Sequence, residues 1–238
     1  MGDLSGPSLL EAVEALGLSE LGRSALGRPI WGRRFGGPGV PLLIIGGIHG
    51  DEPSSVEALL DLAVRLAASG DPPPLFLIPV ANPDGIARGA KNSARDVDLN
   101  RNFPARSFAA AHAPGYFPGP APLSEPETRL VAELVDREGV RGAVAVHAPL
   151  ACINYDGPAA AWAGAVAAAC GWPARGDIGY PTPGSFGSWL GLDRGLPILT
   201  IELPPGPLEP FRQSAADALD AAVAHAPGAA SVADPPDK

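Results

Sequence analysis

The stretch PLLIIGGIHG, residues 41–50, indicates the fold class most clearly. Its apolar run contains no alternating polar residues, which is typical of a strand that is covered on both faces. Two glycines end the run, and the pattern that follows predicts a helix from about Ser54 to Ala68. A buried strand that leads through a tight turn into a helix is the building unit of α/β proteins.

The same alternation continues on both sides of this stretch. Upstream, a short amphipathic helix is predicted over residues 8–16 and a strand around Ile30–Phe35. Downstream, apolar runs predict strands in LFLIPVA, GAVAVHAP and LPILTIELPPG, and helices in SEPETRLVAELVDREG, AAAWAGAVAAACGW and LEPFRQSAADALDAAVAHA. In the first of these helices, Ser124 and Glu127 have the spacing of a capping box. The predicted class is therefore α/β with a mostly parallel sheet.

Composition supports one globular domain. The 238 residues include 30 Gly and 29 Pro, a share that can indicate low complexity. However, 46% of the residues are hydrophobic and only 18% are charged, whereas disordered chains show the opposite balance. No linker or internal repeat divides the chain. We expect one catalytic domain over residues 1–226 and a flexible tail over residues 227–238.

Charge and hydropathy exclude several classes of protein. The net charge of −9 argues against a nucleic-acid partner, because such proteins usually carry a basic face. No apolar run reaches the roughly 18 residues that a membrane span needs. The N-terminus lacks the basic start and long apolar core of a signal peptide, so we expect a cytoplasmic location. In that compartment Cys152 and Cys170 are expected to be free buried thiols.

Polar side chains stand at the ends of three predicted strands, where α/β sheets bind ligands. His49 and Glu52 follow the first strand, His147 ends the second, and Glu202 lies near the end of the third. Two imidazoles and a carboxylate form a catalytic zinc set. Each histidine alone also fits a structural role, whereas an unpaired Glu202 inside ILTIELPP would be costly to bury. His112 carries only the structural interpretation.

The loop NPDGIARGAKNSARDVDLNRNFP, residues 82–104, identifies a family. With the His-x-x-Glu pair, the later histidine and the late glutamate, its Asn-Pro-Asp-Gly and Asp-Leu-Asn-Arg-Asn-Phe segments resemble the zinc metallocarboxypeptidases in content and order. The resemblance covers roughly residues 22–212. The segments SEPET, HAPLACI and GYPTPGSFGSW make it most similar to the bacterial branch of murein peptide amidases. This resemblance implies a single-domain α/β/α sandwich around a mixed, mostly parallel sheet.

The resemblance also implies roles for individual residues. It assigns one zinc ion per chain to His49, Glu52 and His147. Glu202 corresponds to the general base that takes a proton from the zinc-bound water. Two further residues, Asn100 and Arg101, correspond to the pair that binds the free carboxylate of the substrate, for which the planar guanidinium is well suited.

Two positions depart from the family pattern. Lys91 stands where the family usually has an arginine that polarises the scissile carbonyl. Lys91 can supply positive charge there, Arg88 or Arg95 can supply it from a shifted loop, or catalysis is impaired. Tyr180 lies near the family's mobile, substrate-contacting tyrosine, but its distance to the following Gly-Ser is one residue short. An ordinary aromatic residue in a turn is the alternative for Tyr180.

The implied reaction is hydrolysis of the γ-D-glutamyl–meso-diaminopimelate bond of murein tripeptide during cell-wall recycling. The implied partner is a small peptide with a free C-terminal carboxylate, and the sequence does not indicate an oligomeric state. A cytosolic carboxypeptidase of other peptides and an N-acyl amino acid deacylase are the alternatives within enzymes. An inactive zinc-bearing binding protein is the alternative from another class.

Residues 85–123 lack clear periodicity and are interpreted as one long irregular loop, which has five basic residues: Arg88, Lys91, Arg95, Arg101 and Arg106. In an acidic chain this concentration favours an anionic ligand, and a solvated basic loop is the alternative.

Overall fold

The structure, a computed structural model, describes residues 6–228. Its strands are β1 (Ser19–Arg23), β2 (Pro29–Phe35), β3 (Leu42–Ile45), β4 (Leu75–Ile78), β5 (Gly142–His147), β6 (Cys152–Asp156), β7 (Ala174–Arg175) and β8 (Ile198–Glu202). Its α-helices are α1 (Gly6–Ala15), α2 (Pro53–Ala68), α3 (Pro83–Arg88), α4 (Pro126–Glu138), α5 (Ala160–Cys170) and α6 (Arg212–Ala224). Short helical turns of other types cover Leu99–Arg101, Ser188–Asp193 and Glu209–Phe211.

All these strands form one mixed sheet in the order β1-β2-β4-β3-β5-β8-β6-β7. The four central strands, β4, β3, β5 and β8, are mutually parallel, and β2 and β6 flank them as antiparallel neighbours. The strands β3 and β4 are buried at every residue. The predicted α/β class with a mixed, mostly parallel sheet is confirmed.

Helices cover both faces of the sheet, which explains the continuous apolar runs of the central strands. One face packs against α2, α5 and α6 through residues such as Leu59, Val166 and Leu219. The other face packs against α4 and against aromatic side chains that include Phe103 and Trp189. The implied α/β/α sandwich is therefore the observed arrangement of layers.

Some local predictions are wrong or incomplete. The strands β1, β6 and β7 were not predicted, and α3 lies in the segment that was interpreted as a loop. The predicted capping box is absent, because α4 begins at Pro126 with Glu125 as its N-cap and without a side-chain capping bond. Proline is well suited to the first helical position, since its fixed φ matches the helix. The hydroxyl of Ser124 instead donates to Glu125 Oε1 at 3.2 Å.

Three other expectations concern the whole chain. Cys152 and Cys170 are buried free thiols, as predicted. None of the helices within residues 6–228 is long and apolar enough to cross a bilayer. The predicted tail over residues 227–238 lies outside the described residues from position 229 onward.

Candidate metal centre and active site

The site lies at the carboxyl ends of three neighbouring strands. His49 follows β3, His147 ends β5, and Glu202 ends β8. In the β5–β8 ladder, His147 is directly opposite Glu202. Because β3, β5 and β8 are adjacent and parallel, their ends meet at one edge of the sheet, where α/β proteins form binding crevices.

Close backbone packing fixes the loop that carries His49. A Cβ at Gly50 would lie 2.0 Å from the carbonyl carbon of Gly85, so this position accepts only glycine in the observed packing. Asn82 accepts a hydrogen bond from the Gly85 amide and donates to the carbonyl oxygens of Ile48 and Lys91. The Asn-Pro-Asp-Gly turn thereby ties the His49 loop to the loop that follows it.

Three side chains form a compact donor set. One ligand atom from each of His49, Glu52 and His147 lies within 4.8 Å of the other two. Glu52 stands between the histidines, with 2.7 Å from Oε1 to His49 Nδ1 and 3.0 Å from Oε2 to His147 Nδ1. Two imidazole nitrogens and a carboxylate are a catalytic zinc set, so these residues fit a zinc ion.

Asp98 holds the first histidine in place. His49 Nε2 lies 3.0 Å from Asp98 Oδ1, which leaves Nδ1 facing Glu52 and His147. Such a carboxylate fixes the ring orientation and raises the basicity of a metal-ligating histidine. The other oxygen of Asp98 forms an ion pair with Lys91 Nζ at 2.8 Å. Sequence reasoning assigned no role to Asp98, although it lies in the Asp-Leu-Asn-Arg-Asn-Phe segment.

The electrostatics of this cluster follow from its pairings. Burial alone would lower the pKa of His49, but the hydrogen bonds to Asp98 and Glu52 outweigh it and raise the pKa to about 9. Burial would raise the pKa of Glu52, but the charge and hydrogen bond of His147, together with His49, lower it to about 2. The pKa of Asp98 is likewise lowered, because its pairing with His49 overcomes the effect of burial. The metal-free cluster thus keeps its carboxylates ionised.

Asn100 and Arg101 follow directly in a short helical turn that Asp98 caps. The backbone amide of Asn100 donates to Asp98 Oδ1 at 2.9 Å, and Asn100 Oδ1 accepts from the Phe186 amide at 3.0 Å. Arg101 is buried and donates from Nη1 to the Asn100 carbonyl at 2.6 Å. Both residues are therefore held at the cavity by backbone contacts.

The positions of the basic residues distinguish those that reach the cavity from those that do not. Lys91 Nζ lies 3.6 Å above the ring of Tyr116, and the Arg101 guanidinium lies 5.3 Å from the same ring. Arg88 donates instead to backbone carbonyls, among them that of Ser93 at 2.7 Å. The exposed Arg95 faces Glu125 at 3.8 Å. Of the basic side chains in this loop, Lys91 and Arg101 line the cavity.

Glu202 has surroundings unlike those of Glu52 and Asp98. It is buried, and its Oε2 has no hydrogen-bond partner among residues 6–228. Burial raises its pKa above the usual glutamate value, although nearby His147 and a backbone hydrogen bond from Leu150 act in the opposite direction. A carboxyl group with a raised pKa beside a set of metal ligands is suited to proton transfer.

The eight residues singled out in the sequence line one cavity of about 460 Å³. They are His49, Glu52, Lys91, Asn100, Arg101, His147, Tyr180 and Glu202. Tyr180 also lines the cavity and has 45% of its surface exposed. Tyr116 and Asp156 also line the cavity and were not predicted. Tyr116 lies in a segment without periodicity, and Asp156 ends a strand that the sequence did not reveal.

Comparison with known proteins identifies the family. The sequence pattern of the zinc carboxypeptidase family matches residues 13–159, more than half of the chain. The chain belongs to the zinc carboxypeptidase family. It is therefore a zinc-dependent hydrolase.

Murein peptide amidase A of Escherichia coli K12 is 38% identical over 180 residues, which are 68% of this chain and 71% of that protein. Murein peptide amidase A of Vibrio campbellii is 32% identical over 201 residues, which are 78% of each chain.

Solved structures agree with this membership. The murein-tripeptide amidase of Escherichia coli O157 superposes with a TM-score of 0.71 at 32% identity, covering 85% of this chain and 91% of that one. Thrombin-activatable fibrinolysis inhibitor superposes with a TM-score of 0.78, covering 93% of this chain and 76% of that one. Since its identity is 18%, this second likeness concerns the fold alone.

Proposed function

We propose that this protein is a zinc-dependent amidase that hydrolyses the γ-D-glutamyl–meso-diaminopimelate bond of murein tripeptide. The observation that carries the proposal is the likeness to murein peptide amidases over most of the chain, at 38% and 32% identity. The arrangement of the cavity supports it, because a metal cluster and an unpaired carboxyl group lie beside a buried arginine. The corresponding cellular role is recycling of cell-wall peptides, for which we propose a cytoplasmic location.

In this reaction His49, Glu52 and His147 would hold the zinc ion. The chemistry that such an ion would supply is that of a Lewis acid, which lowers the pKa of a bound water and polarises a carbonyl group. Glu202 takes the proton from the attacking water and delivers it to the leaving amine, which requires a carboxyl group that changes protonation readily. Its burial and raised pKa suit that task.

Other residues bind the substrate and stabilise developing charge. Arg101, oriented through Asn100, pairs with the free carboxylate of diaminopimelate, since a planar guanidinium can donate two parallel hydrogen bonds. Lys91 supplies positive charge at the developing oxyanion in place of the family's usual arginine. Tyr180 at the rim closes over the bound peptide.

Product analysis tests the proposal. Zinc-loaded protein is incubated separately with L-Ala-γ-D-Glu-meso-diaminopimelate, with a peptide that ends in leucine and with an N-acetyl amino acid. We expect release of diaminopimelate from the first substrate at a rate well above that of either control. Faster cleavage of the leucine peptide would favour an ordinary carboxypeptidase, and faster cleavage of the N-acetyl compound would favour a deacylase. No cleavage of any substrate by zinc-loaded protein would favour a binding protein.

A further inference from the structure

The cavity floor extends from Glu202 to a second carboxylate, Asp156. The strands β6 and β8 are antiparallel, and every second cross-strand pair between them, counted from Glu202, is Cys152–Glu202, Asn154–Thr200 and Asp156–Ile198. Directly opposed residues and every second residue along a strand share one face of a sheet. Asp156 therefore lies on the same face as Glu202, two pairs further along.

Residues at both ends and in the middle of this row line the cavity. They are Glu202, Thr200, Asn154 and Asp156. At about 3.3 Å per residue, the Asp156 position lies roughly 13 Å along β6 from the pair that contains Glu202. The row thus forms a continuous floor that leads away from the metal cluster.

Two glycines make room for the Asp156 side chain. A Cβ at Gly187 would lie 2.3 Å from Asp156 Oδ2, and a Cβ at Gly191 would lie 2.5 Å from Asp156 Cβ. Either contact is far too short for non-bonded atoms. Gly187 also lines the cavity, so the space that its missing side chain leaves is occupied by the carboxylate of Asp156.

No group among residues 6–228 neutralises this carboxylate: no basic side chain there forms an ion pair with Asp156, and its side chain accepts no hydrogen bond. Its pKa is raised by burial. Taking a carboxylate out of water without a partner is unfavourable, so a cationic ligand would gain from meeting it. The buried Asp98 differs, since Lys91 and His49 both pair with it.

We infer that Asp156 is a specificity-determining residue that binds the side-chain ammonium group of the amino acid released from the peptide. The inference rests on the proposed function, because the scissile bond must lie at the metal cluster and the α-carboxylate at Arg101. The side chain of that amino acid then points along the floor toward Asp156.

The lengths are compatible with this binding mode. Diaminopimelate carries its second ammonium group five bonds from its first Cα, a span of roughly 6 Å when extended. The floor is roughly 13 Å long between the backbone positions of Glu202 and Asp156. The lengths of these two side chains and one hydrogen bond account for the part that the substrate side chain does not span. A neutral side chain of equal length would leave the carboxylate of Asp156 desolvated and unpaired, which is how a polar site rejects an apolar analogue.

The experiment compares substrates and variants. The substrates are L-Ala-γ-D-Glu tripeptides that end in meso-diaminopimelate, in L-lysine, or in L-norleucine, which matches the lysine chain but lacks its ammonium group. The variant Asp156→Asn keeps the shape and removes the charge. Asp71→Asn, at an exposed turn outside the cavity, removes the same charge and serves as the matched control.

We expect wild-type protein to prefer the diaminopimelate and lysine peptides over the norleucine peptide by about 10- to 100-fold in kcat/KM. Asp156→Asn should remove most of that preference, mainly by raising KM for the two peptides that carry an ammonium group. Asp71→Asn should behave as wild type. Tripeptide affinity measured by calorimetry in the Glu202→Gln background should fall by a similar factor when Asp156→Asn is added.

The outcomes separate the two proposals. If wild-type protein cleaves the norleucine peptide as well as the diaminopimelate peptide, the role of Asp156 is refuted and the proposed reaction stands. The same holds if Asp156→Asn keeps the wild-type preference. If zinc-loaded wild-type protein cleaves none of the γ-D-glutamyl peptides, the proposed reaction itself is wrong, and the inference about Asp156 falls with it. The wild-type preference requires no variant, so it tests the inference even if Asp156→Asn folds poorly.

Discussion

The two ends of the cavity treat their charges in opposite ways. At the end near β3, Glu52 and Asp98 each contact a histidine, and Lys91 adds a second partner for Asp98. At the end formed by β6 and β8, Asp156 has no charged partner among the described residues, and Glu202 Oε2 accepts no hydrogen bond there. Both ends contain carboxylates, but only the carboxylates near β3 have charged partners.

This difference separates two tasks. Paired charges hold their side chains in one geometry, which a metal site needs before the ion arrives. Unpaired carboxylates reduce stability, and proteins retain such groups where a substrate or a transferred proton completes them. Changes at the paired end should therefore affect zinc binding and stability, whereas changes at the unpaired end should affect turnover and selectivity.

The strongest test of the paired end is removal of the metal. Dialysis against a chelator should reduce hydrolysis to background, since the metal supplies both the activated water and the polarised carbonyl. The midpoint of unfolding should also fall, because zinc at 100 to 1,000 times its Kd stabilises the folded state by about 3–4 kcal/mol. Zinc should restore both properties, whereas activity that persists without metal would refute the mechanism.

At the unpaired end, Glu202→Gln should lower kcat by about 10²- to 10⁴-fold, the usual contribution of a general acid–base group. Zinc content by metal analysis should stay at one ion per chain. The free energy of unfolding should not decrease, because the change removes a desolvated carboxylate. A variant that loses zinc together with activity would instead make Glu202 a zinc ligand and contradict the division of tasks between the two ends.

Lys91 forms an ion pair at the paired end, but its proposed role is in the reaction, where it stabilises the developing oxyanion. Lys91→Ala should lower kcat by about 10²- to 10³-fold, as expected for the loss of a charge that stabilises an oxyanion. Zinc content should hold, and Lys91→Arg should recover much of the rate. Arg95→Ala, which removes an exposed cation from the same loop, is the matched control. Near-normal turnover of Lys91→Ala would remove this residue from the mechanism.

Asp98→Asn should weaken zinc binding by about 10- to 100-fold, because the side chain that orients His49 loses its charge. Competition with a chromogenic chelator measures this affinity. Asp96→Asn is the control, since Asp96 is exposed and its positive φ of 61° is readily adopted by asparagine. Equal zinc affinities in the two variants would show that Asp98 does not support the metal cluster.

The last prediction concerns how the stability of the metal-free protein depends on pH. A pKa of about 9 for His49 in the folded state exceeds the ordinary value of 6.5, so protonated His49 stabilises the fold fully below pH 6.5. That contribution should be lost as pH rises through 9. Denaturant unfolding between pH 6.5 and 9.5 should record the loss, and zinc-saturated protein should lack it, since the metal replaces the proton. A flat profile in the metal-free protein would contradict the pairing of His49 with Asp98.

The sequence predicted the paired end better than the unpaired end, for physical reasons. The apolar runs of β3, β5 and β8 mark the strands, and the polar residues that end them mark the site. The β6 segment, CINYD, is short and lacks clear alternation, so neither the strand nor the placement of Asp156 could be predicted. Asp156 also depends on glycines more than 30 positions away along the chain, a contact that periodicity does not encode. The start of α4 was misplaced because Pro126 determines it.

The reactivity of the Cys152 thiol can report local unfolding next to the active site. Its thiol is buried directly opposite Glu202 in the β6–β8 ladder, and burial, together with the charge of Glu202, raises its pKa. A thiol in this state does not react with alkylating reagents until the ladder separates. Its alkylation rate should therefore measure how often this edge of the sheet unfolds locally. A bound peptide that spans the floor from Glu202 to Asp156 would slow that reaction without touching the sulfur.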